Sequence, residues 1–194
     1  MEESARQWLA DRAESFLRRA GVREGQTVLD FGCNKGNYAG PAASVVGPSG
    51  RVYALDRDAQ ALEDLKQEAR QKGLRNIKCL EVSGGGDIPL PACSVDVVLL
   101  YDVLHRGYFP EAAQRVEILR HIYAVLKVGG LLSVYPTHLR KYGMSFAQIM
   151  GELRTAGFRL EKEARRRLVH DGNLTRGRVF SFSKDREQEA VLRY

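Results

Sequence analysis

The sequence predicts an α/β fold, a mostly parallel sheet wrapped by helices and ended by one antiparallel strand. Three observations carry that expectation. Short apolar runs alternate with amphipathic segments of roughly 10 to 17 residues, the spacing of right-handed crossovers between parallel strands. The last two runs are joined only through His170-Asp171-Gly172-Asn173, and so tight a turn forces antiparallel pairing. The 194 residues contain no linker, repeat or low-complexity stretch, which suits one compact domain over 1–194.

The elements follow in order. Residues 4–20 read as an amphipathic helix carrying Trp8, Leu9, Phe16 and Leu17. Thr27 to Phe31 is the first strand, followed by a Gly-rich turn and a helix over 37–46. "RVYALD" (51–56) is a strand ending in an acid, and Asp58 caps a helix that runs to Lys72, stopped by Gly73. "NIKCLEV" (76–82) and "VDVVLLY" (95–101) are the next two strands. A helix spans 110–126 and closes in "KVGG" (127–130), before a strand at 131–136. Ser145 to Thr155 is a helix ended by Ala156-Gly157, and strands at 158–165 and 176–183 complete the chain.

In such a sheet ligands bind at the carboxyl ends of the strands, where the strand order reverses. That rule gathers Asp30 to Tyr38, Asp56, Ser83 to Asp87, Tyr101 to Tyr108 and Pro136 to Tyr142 around one crevice. It leaves His121, in mid-helix, and His170, in the hairpin turn, away from it.

Composition excludes several function classes. The charge balance is 30 Lys and Arg against 24 Asp and Glu, a net +6. The arginines are scattered, and the one run, Arg165-Arg166-Arg167, falls in a late strand, where charge blunts edge-to-edge aggregation. A nucleic-acid surface is the minority reading of that run. Three cysteines without CxxC spacing argue against a disulfide framework and a zinc site, so no metal is expected. No apolar run approaches the ~20 residues of a membrane span. The mixed-charge N-terminus lacks a signal-peptide pattern, so the cytoplasm is the expected compartment.

"VLDFGCNKGNY" (28–38) is the most informative stretch. Gly32 and Gly36 have the layout of a nucleotide-cofactor turn, but Asn34 and Asn37 stand where a dinucleotide fingerprint wants glycines. Asp30, just before the turn, would repel a pyrophosphate at the helix N-terminus. A ligand with a cationic amino group and an adenosine reverses that argument. Asn34 suits a positive φ better than most residues. Asp56, 20 residues beyond Gly36, stands where an acid accepts from both ribose hydroxyls. S-adenosylmethionine meets these demands and NAD meets them poorly.

At these residues the chain resembles class I S-adenosylmethionine-dependent methyltransferases, closest in style to the small-molecule C-methyltransferases of quinone biosynthesis. "VLDFGCNKG" is similar to the family's first motif and "VYALDRD" to its second acidic loop. "SVDVVLLYDVLHR" is similar to its fourth-strand motif, and "HIYAVLKVGGLLSV" to its helix-turn-strand with paired glycines. The resemblance covers roughly residues 25–160. It implies a Rossmann-like three-layer sandwich with a seven-stranded sheet whose last strand is antiparallel. In this frame 25–184 is the core, and the helix within 1–22 covers the acceptor side.

The resemblance implies a cofactor site at Asp30, Gly32, Cys33, Asn34, Gly36, Tyr38, Asp56, Arg57, Gly84, Gly85 and Tyr101. Where the family often has an acid for the adenine amino group, this chain has Gly84, so backbone groups of 84–86 or the Asp87 side chain would serve instead. Cys33 and Cys79 read as packing residues. Tyr38 reads equally as a flank of the cofactor or as packing, and Arg57 as a ribose or adenine contact or a solvated residue. Asp102 reads as an acceptor-side group or a loop cap, and Trp8 as packing ahead of an acceptor roof.

The implied reaction is in-line transfer of a methyl group to a small-molecule acceptor. Alignment suffices when the acceptor is already nucleophilic. Otherwise His105 or His138 is the candidate base, since imidazole titrates near neutrality. The alternatives are an RNA or protein methyltransferase and a non-catalytic protein that binds the same cofactor.

Overall fold

A computed structural model of the chain describes residues 1–83 and 86–184. Seven strands form one sheet in the order β3-β2-β1-β4-β5-β7-β6. In chain order they are β1 Thr27–Phe31, β2 Arg51–Asp56, β3 Ile77–Glu81, β4 Val95–Tyr101, β5 Leu126–Tyr135, β6 Phe158–His170 and β7 Asn173–Lys184. The helices are α1 Glu3–Asp11, α2 Ala13–Ala20, α3 Ala39–Val46, α4 Ala59–Gln71, α5 Ala112–Val125 and α6 Phe146–Thr155. The first five strands pair in parallel, and β7 runs antiparallel to both β5 and β6. The antiparallel strand is last in sequence but lies inside the sheet, and β6 takes the edge.

Parallel strands covered on both faces bury both sets of alternating side chains. Val28, Val52, Val97 and Leu99 pack with α1 to α4, while Leu29, Leu55, Val98 and Leu100 pack with α5 and α6. Strand alternation places Asp30 on the α1–α4 face with Val28. Local chemistry sets the helix starts. Asp58 accepts from the N–H groups of Gln60 and Ala61 at 3.0 Å each, and Ser145 forms a capping box with Gln148.

Three elements differ from the sequence expectation. The helix over 4–20 is two helices broken at Arg12 (φ −125°, ψ −19°). The break lets α1 lie against the β6–β7 ribbon while α2 packs on α3. "KVGG" is not a turn after α5. Residues 126–130 already belong to β5, with a register shift opposite Val95 and Val97.

The third difference matters most. β6 and β7 run several residues beyond 158–165 and 176–183 and stay paired to the tip, His170 opposite Asn173. Because β5 pairs with β7 only from Leu131 to Val134, the rest of the hairpin projects past the carboxyl edge of the sheet as a two-stranded ribbon. Its two-residue turn has Asp171 at φ 48° and Gly172 at φ 75°, the positive pair that a type I′ hairpin demands. The main chain of Glu2 donates to the Gly172 carbonyl at 2.8 Å, fastening the N-terminal segment to the ribbon tip.

Candidate functional site

Strand order reverses between β1 and β4, and there a cavity of about 400 Å³ opens at the carboxyl edge. That volume lies in the range of small-molecule sites. Its floor is the β1–α3 turn. Gly32 (φ 75°) and Gly36 (φ 84°) occupy left-handed backbone, and a Cβ on either would run into the side chain of Val103 or Leu65. Asn34 takes φ 47° between them, as its side chain suits.

Asp30 is 3% exposed and lines the cavity, and its Oδ2 is buried with no hydrogen-bond partner. Burial, then the neighbouring Asp56 charge, pushes its pKa up to about 7, against a weaker opposing effect from a hydrogen bond with the Ala39 backbone. An unpartnered buried carboxyl costs free energy that a cationic ligand group would recover.

Asp56 stands at the tip of β2 and organises the neighbouring loops. Its Oδ2 accepts from the Asn34 N–H at 2.7 Å, and its Oδ1 from the N–H groups of Arg57 at 2.7 Å and Asp58 at 3.0 Å. With three of roughly four acceptor positions taken, this arrangement leaves one for a ligand hydroxyl. The Arg57 guanidinium lies 5.2 Å from the centre of the Tyr108 ring, and both residues line the cavity.

One wall is aromatic. Tyr38 and Tyr101 meet edge to face at 4.9 Å, and Tyr101 meets Tyr135 in the same way at 6.4 Å. Their hydroxyls are engaged with the Val169 carbonyl at 2.8 Å, Ser133 Oγ at 2.8 Å and Thr175 Oγ1 at 3.2 Å respectively. Burial raises all three pKa values, so these phenols are neutral contact surfaces and not bases. Cys33 also lines the cavity as a buried thiol whose pKa burial drives up, as a packing residue requires.

The histidines are placed differently from the sequence expectation. His105 is 3% exposed, stacks on Tyr142 at 4.7 Å and does not line the cavity. Its Nδ1 accepts from the Gly107 N–H at 3.1 Å, and burial lowers its pKa. His138 is also absent from the cavity wall, but its Nε2 lies 3.2 Å from Asp171 Oδ2. His170, expected away from the crevice, is on the wall with Nδ1 2.9 Å from Asp102 Oδ2. The reason is topological. β6 is parallel to the core strands, so its carboxyl end, and the turn after it, lie at the ligand edge.

Of the other expected positions, Tyr38, Tyr101, Arg57 and Asn34 line the cavity, and Gly36 supports it from below. Gly84 and Gly85 lie outside the described residues. Asp87 does not reach back. Its side chain is 93% exposed and sits 4.0 Å from His121, while the neighbouring Gly86 lines the cavity. Trp8 packs 5.6 Å from Phe16 and is not a roof of the cavity.

The sequence matches the methyltransferase domain family over residues 28–130. Demethylmenaquinone methyltransferase of Geobacillus kaustophilus (strain HTA426) is 30% identical over 118 residues, covering 61% of this chain and 48% of that protein. Aklanonic acid methyltransferase DauC of Streptomyces sp. (strain C5) is 37% identical over 102 residues, covering 50% of this chain and 44% of that one. The chain thus spans about half the length of these curated relatives. A SAM dependent methyltransferase from Aquifex aeolicus superposes with a TM-score of 0.67 at 24% identity, over 92% of this chain and 91% of that one, a likeness of fold.

Proposed function

Because the chain belongs to the methyltransferase domain family, whose cofactor here is S-adenosylmethionine, we propose that it transfers the methyl group to a small-molecule acceptor by in-line displacement. The carrying observation is the buried, unpartnered Oδ2 of Asp30 beside the glycine turn. It asks for a cation and repels phosphate, the reverse of what a dinucleotide needs. Relatives named for demethylmenaquinone and aklanonic acid support an acceptor of small size.

The residues present fit the cofactor. Asp30 would take its ammonium group, Asp56 a ribose hydroxyl, and the turn from Gly32 to Gly36 its close backbone approach. The rings of Tyr38, Tyr101 and Tyr135 form a dry wall whose faces favour a neighbouring cation. When bound, the cofactor supplies a methyl group already activated on a sulfonium. The chain's task is to hold the acceptor in line and keep water out.

We further propose one methyltransferase domain over 1–194, with α1 and α2 on the acceptor side. No helix of the described residues is long and apolar enough to cross a membrane. The free cysteines Cys33, Cys79 and Cys93 suit a reducing compartment, so the cytoplasm is the proposed location. The test is incubation with S-adenosylmethionine and a panel of small hydroxylated and carbon-acid acceptors, measuring S-adenosylhomocysteine formed. Product that depends on one acceptor, and on Asp30, supports the reading. Cofactor binding without transfer to any acceptor would instead support a non-catalytic binding protein.

A further inference from the structure

We propose that Asp102, His138, His170 and Asp171 form a binding site for a divalent transition-metal ion, of the Zn²⁺ or Mn²⁺ type, on the acceptor-side wall of the cavity. Each residue offers one nitrogen or oxygen, and these four atoms lie within 4.8 Å of one another. They come from three separate parts of the chain: the ends of β4 and β5, and the tip of the β6–β7 ribbon. The ribbon's projection past the sheet brings them together. Asp102, His170 and Asp171 line the cavity itself.

The spacing fits an ion. His138 Nε2 stands 3.7 Å from Asp102 Oδ1 and 3.2 Å from Asp171 Oδ2. His170 stands 2.9 Å from Asp102 Oδ2 through Nδ1 and 3.6 Å from Asp171 Oδ2 through Nε2. Ligand atoms bound tetrahedrally at ~2.1 Å lie about 3.4 Å apart, within the 4.8 Å limit met by one donor atom from each residue. Two carboxylates and two neutral imidazoles balance a double positive charge. A mixed imidazole and carboxylate set suits zinc or manganese better than the all-oxygen ions calcium and magnesium.

Two further observations point the same way. Asp102 Oδ1 is buried without a hydrogen-bond partner although it faces the cluster. Asp102 (φ 60°) and His138 (φ 54°) are both held in left-handed backbone. That conformation is strained for a non-glycine residue and tends to persist at functional sites. An ion at this place would hold an oxygen of the acceptor beside the donor and lower its pKa. That role rests on the methyl-transfer reading, whereas ion binding does not, so the experiment measures binding alone.

The test uses the full chain, stripped with a chelator and free of cofactor, titrated with Zn²⁺ by equilibrium dialysis with metal quantification. One equivalent should bind. Asp171→Asn, which keeps the turn because Asn also accepts positive φ, should weaken it by ~10-fold or more. His138→Ala/His170→Ala should abolish stoichiometric binding, and Cys93→Ser, which removes an exposed thiol outside the cluster, should leave it unchanged. Co²⁺ in place of Zn²⁺ should give visible bands of nitrogen and oxygen ligation with no thiolate charge transfer. No saturable binding overturns the proposal, as does an affinity indifferent to Asp171→Asn and the double histidine variant. Thiolate bands, or loss of binding in Cys93→Ser, do so too. A negative result would leave the cluster as polar contacts of His170 with Asp102 and Asp171.

Discussion

The Asp30 carboxyl is buried, and its Oδ2 has no hydrogen-bond partner. Its folded pKa of about 7 lies above the ordinary 3.8, so the native state holds a proton that the unfolded chain releases. The sign follows from linkage: this contribution to stability is complete below about pH 4 and is lost as pH rises through about 7. The ligand-free protein should therefore lose stability over that window, and Asp30→Asn should flatten the loss while raising the melting temperature at pH 8. The same substitution should weaken S-adenosylhomocysteine at pH 8 by about tenfold or more, since a charge-assisted bond to its ammonium is gone. Calorimetry in buffers of different ionisation enthalpy should show proton release on binding near pH 7 in the wild type and none in Asp30→Asn. Unchanged affinity at pH 8 would remove Asp30 from the site. Asp56 is a different case, because it holds three loop N–H groups as well as facing the ligand. Asp56→Ala should cost ~2–4 kcal/mol of cofactor affinity, while the milder Asp56→Asn should preserve part of it. Equal affinities for wild type and Asp56→Ala in a folded protein would refute the assignment.

Among the elements, α5 and α6 are locked by one buried ion pair. Arg115 is 2% exposed and donates Nε and Nη2 to the Glu152 carboxylate at 2.7–3.1 Å, with Nη1 on the carbonyls of Phe109 at 2.6 Å and Pro110 at 3.0 Å. Removing one partner leaves a buried charge alone, so Glu152→Ala should destabilise by ~3–5 kcal/mol in urea unfolding. Cofactor affinity per folded molecule should stay within about twofold, because neither residue lines the cavity. A cost near zero would mean that the pair is solvated. The core strands were legible in sequence nearly to the residue, since β1, β2 and β4 are apolar runs bounded by turn residues. The glycine turn and its acids were legible for the same reason: φ and charge requirements are local. The ribbon was not. Its arginine-rich middle is largely exposed, held by pairing with β7 and by Arg178 on Glu163, and the buried Leu168 and Val169 near its tip are too short an apolar run to mark a strand. His170 was therefore misplaced, although the parallel course of β6, applied to the turn after it, would have put it at the ligand edge. The break at Arg12 was equally hidden, because two packing partners in space, not a proline or glycine, divide the helix.

At the scale of the whole molecule, the sheet serves as a rigid platform whose carboxyl edge presents Asp30 and Asp56 on one side of the switch point and the β6–β7 ribbon on the other. The N-terminal segment ties to the ribbon tip through Glu2 and Gly172, so both flanks of the cavity belong to one packed unit. Ligand binding should therefore stabilise the entire fold and not one loop. The cavity, as proposed, holds an adenosyl group bearing a cationic amine. The most direct measurement is thermal unfolding of the full chain with S-adenosylhomocysteine, NAD or ATP, each at equal millimolar concentration. At about 100 times its Kd, S-adenosylhomocysteine adds ~2.7 kcal/mol, which for a chain of this length raises Tm by about 5–10 °C. S-adenosylhomocysteine should give that rise, Asp30→Asn at pH 8 should cut it to about half or less, and NAD and ATP should give no comparable rise. Equal stabilisation by NAD, or none by S-adenosylhomocysteine, would contradict it.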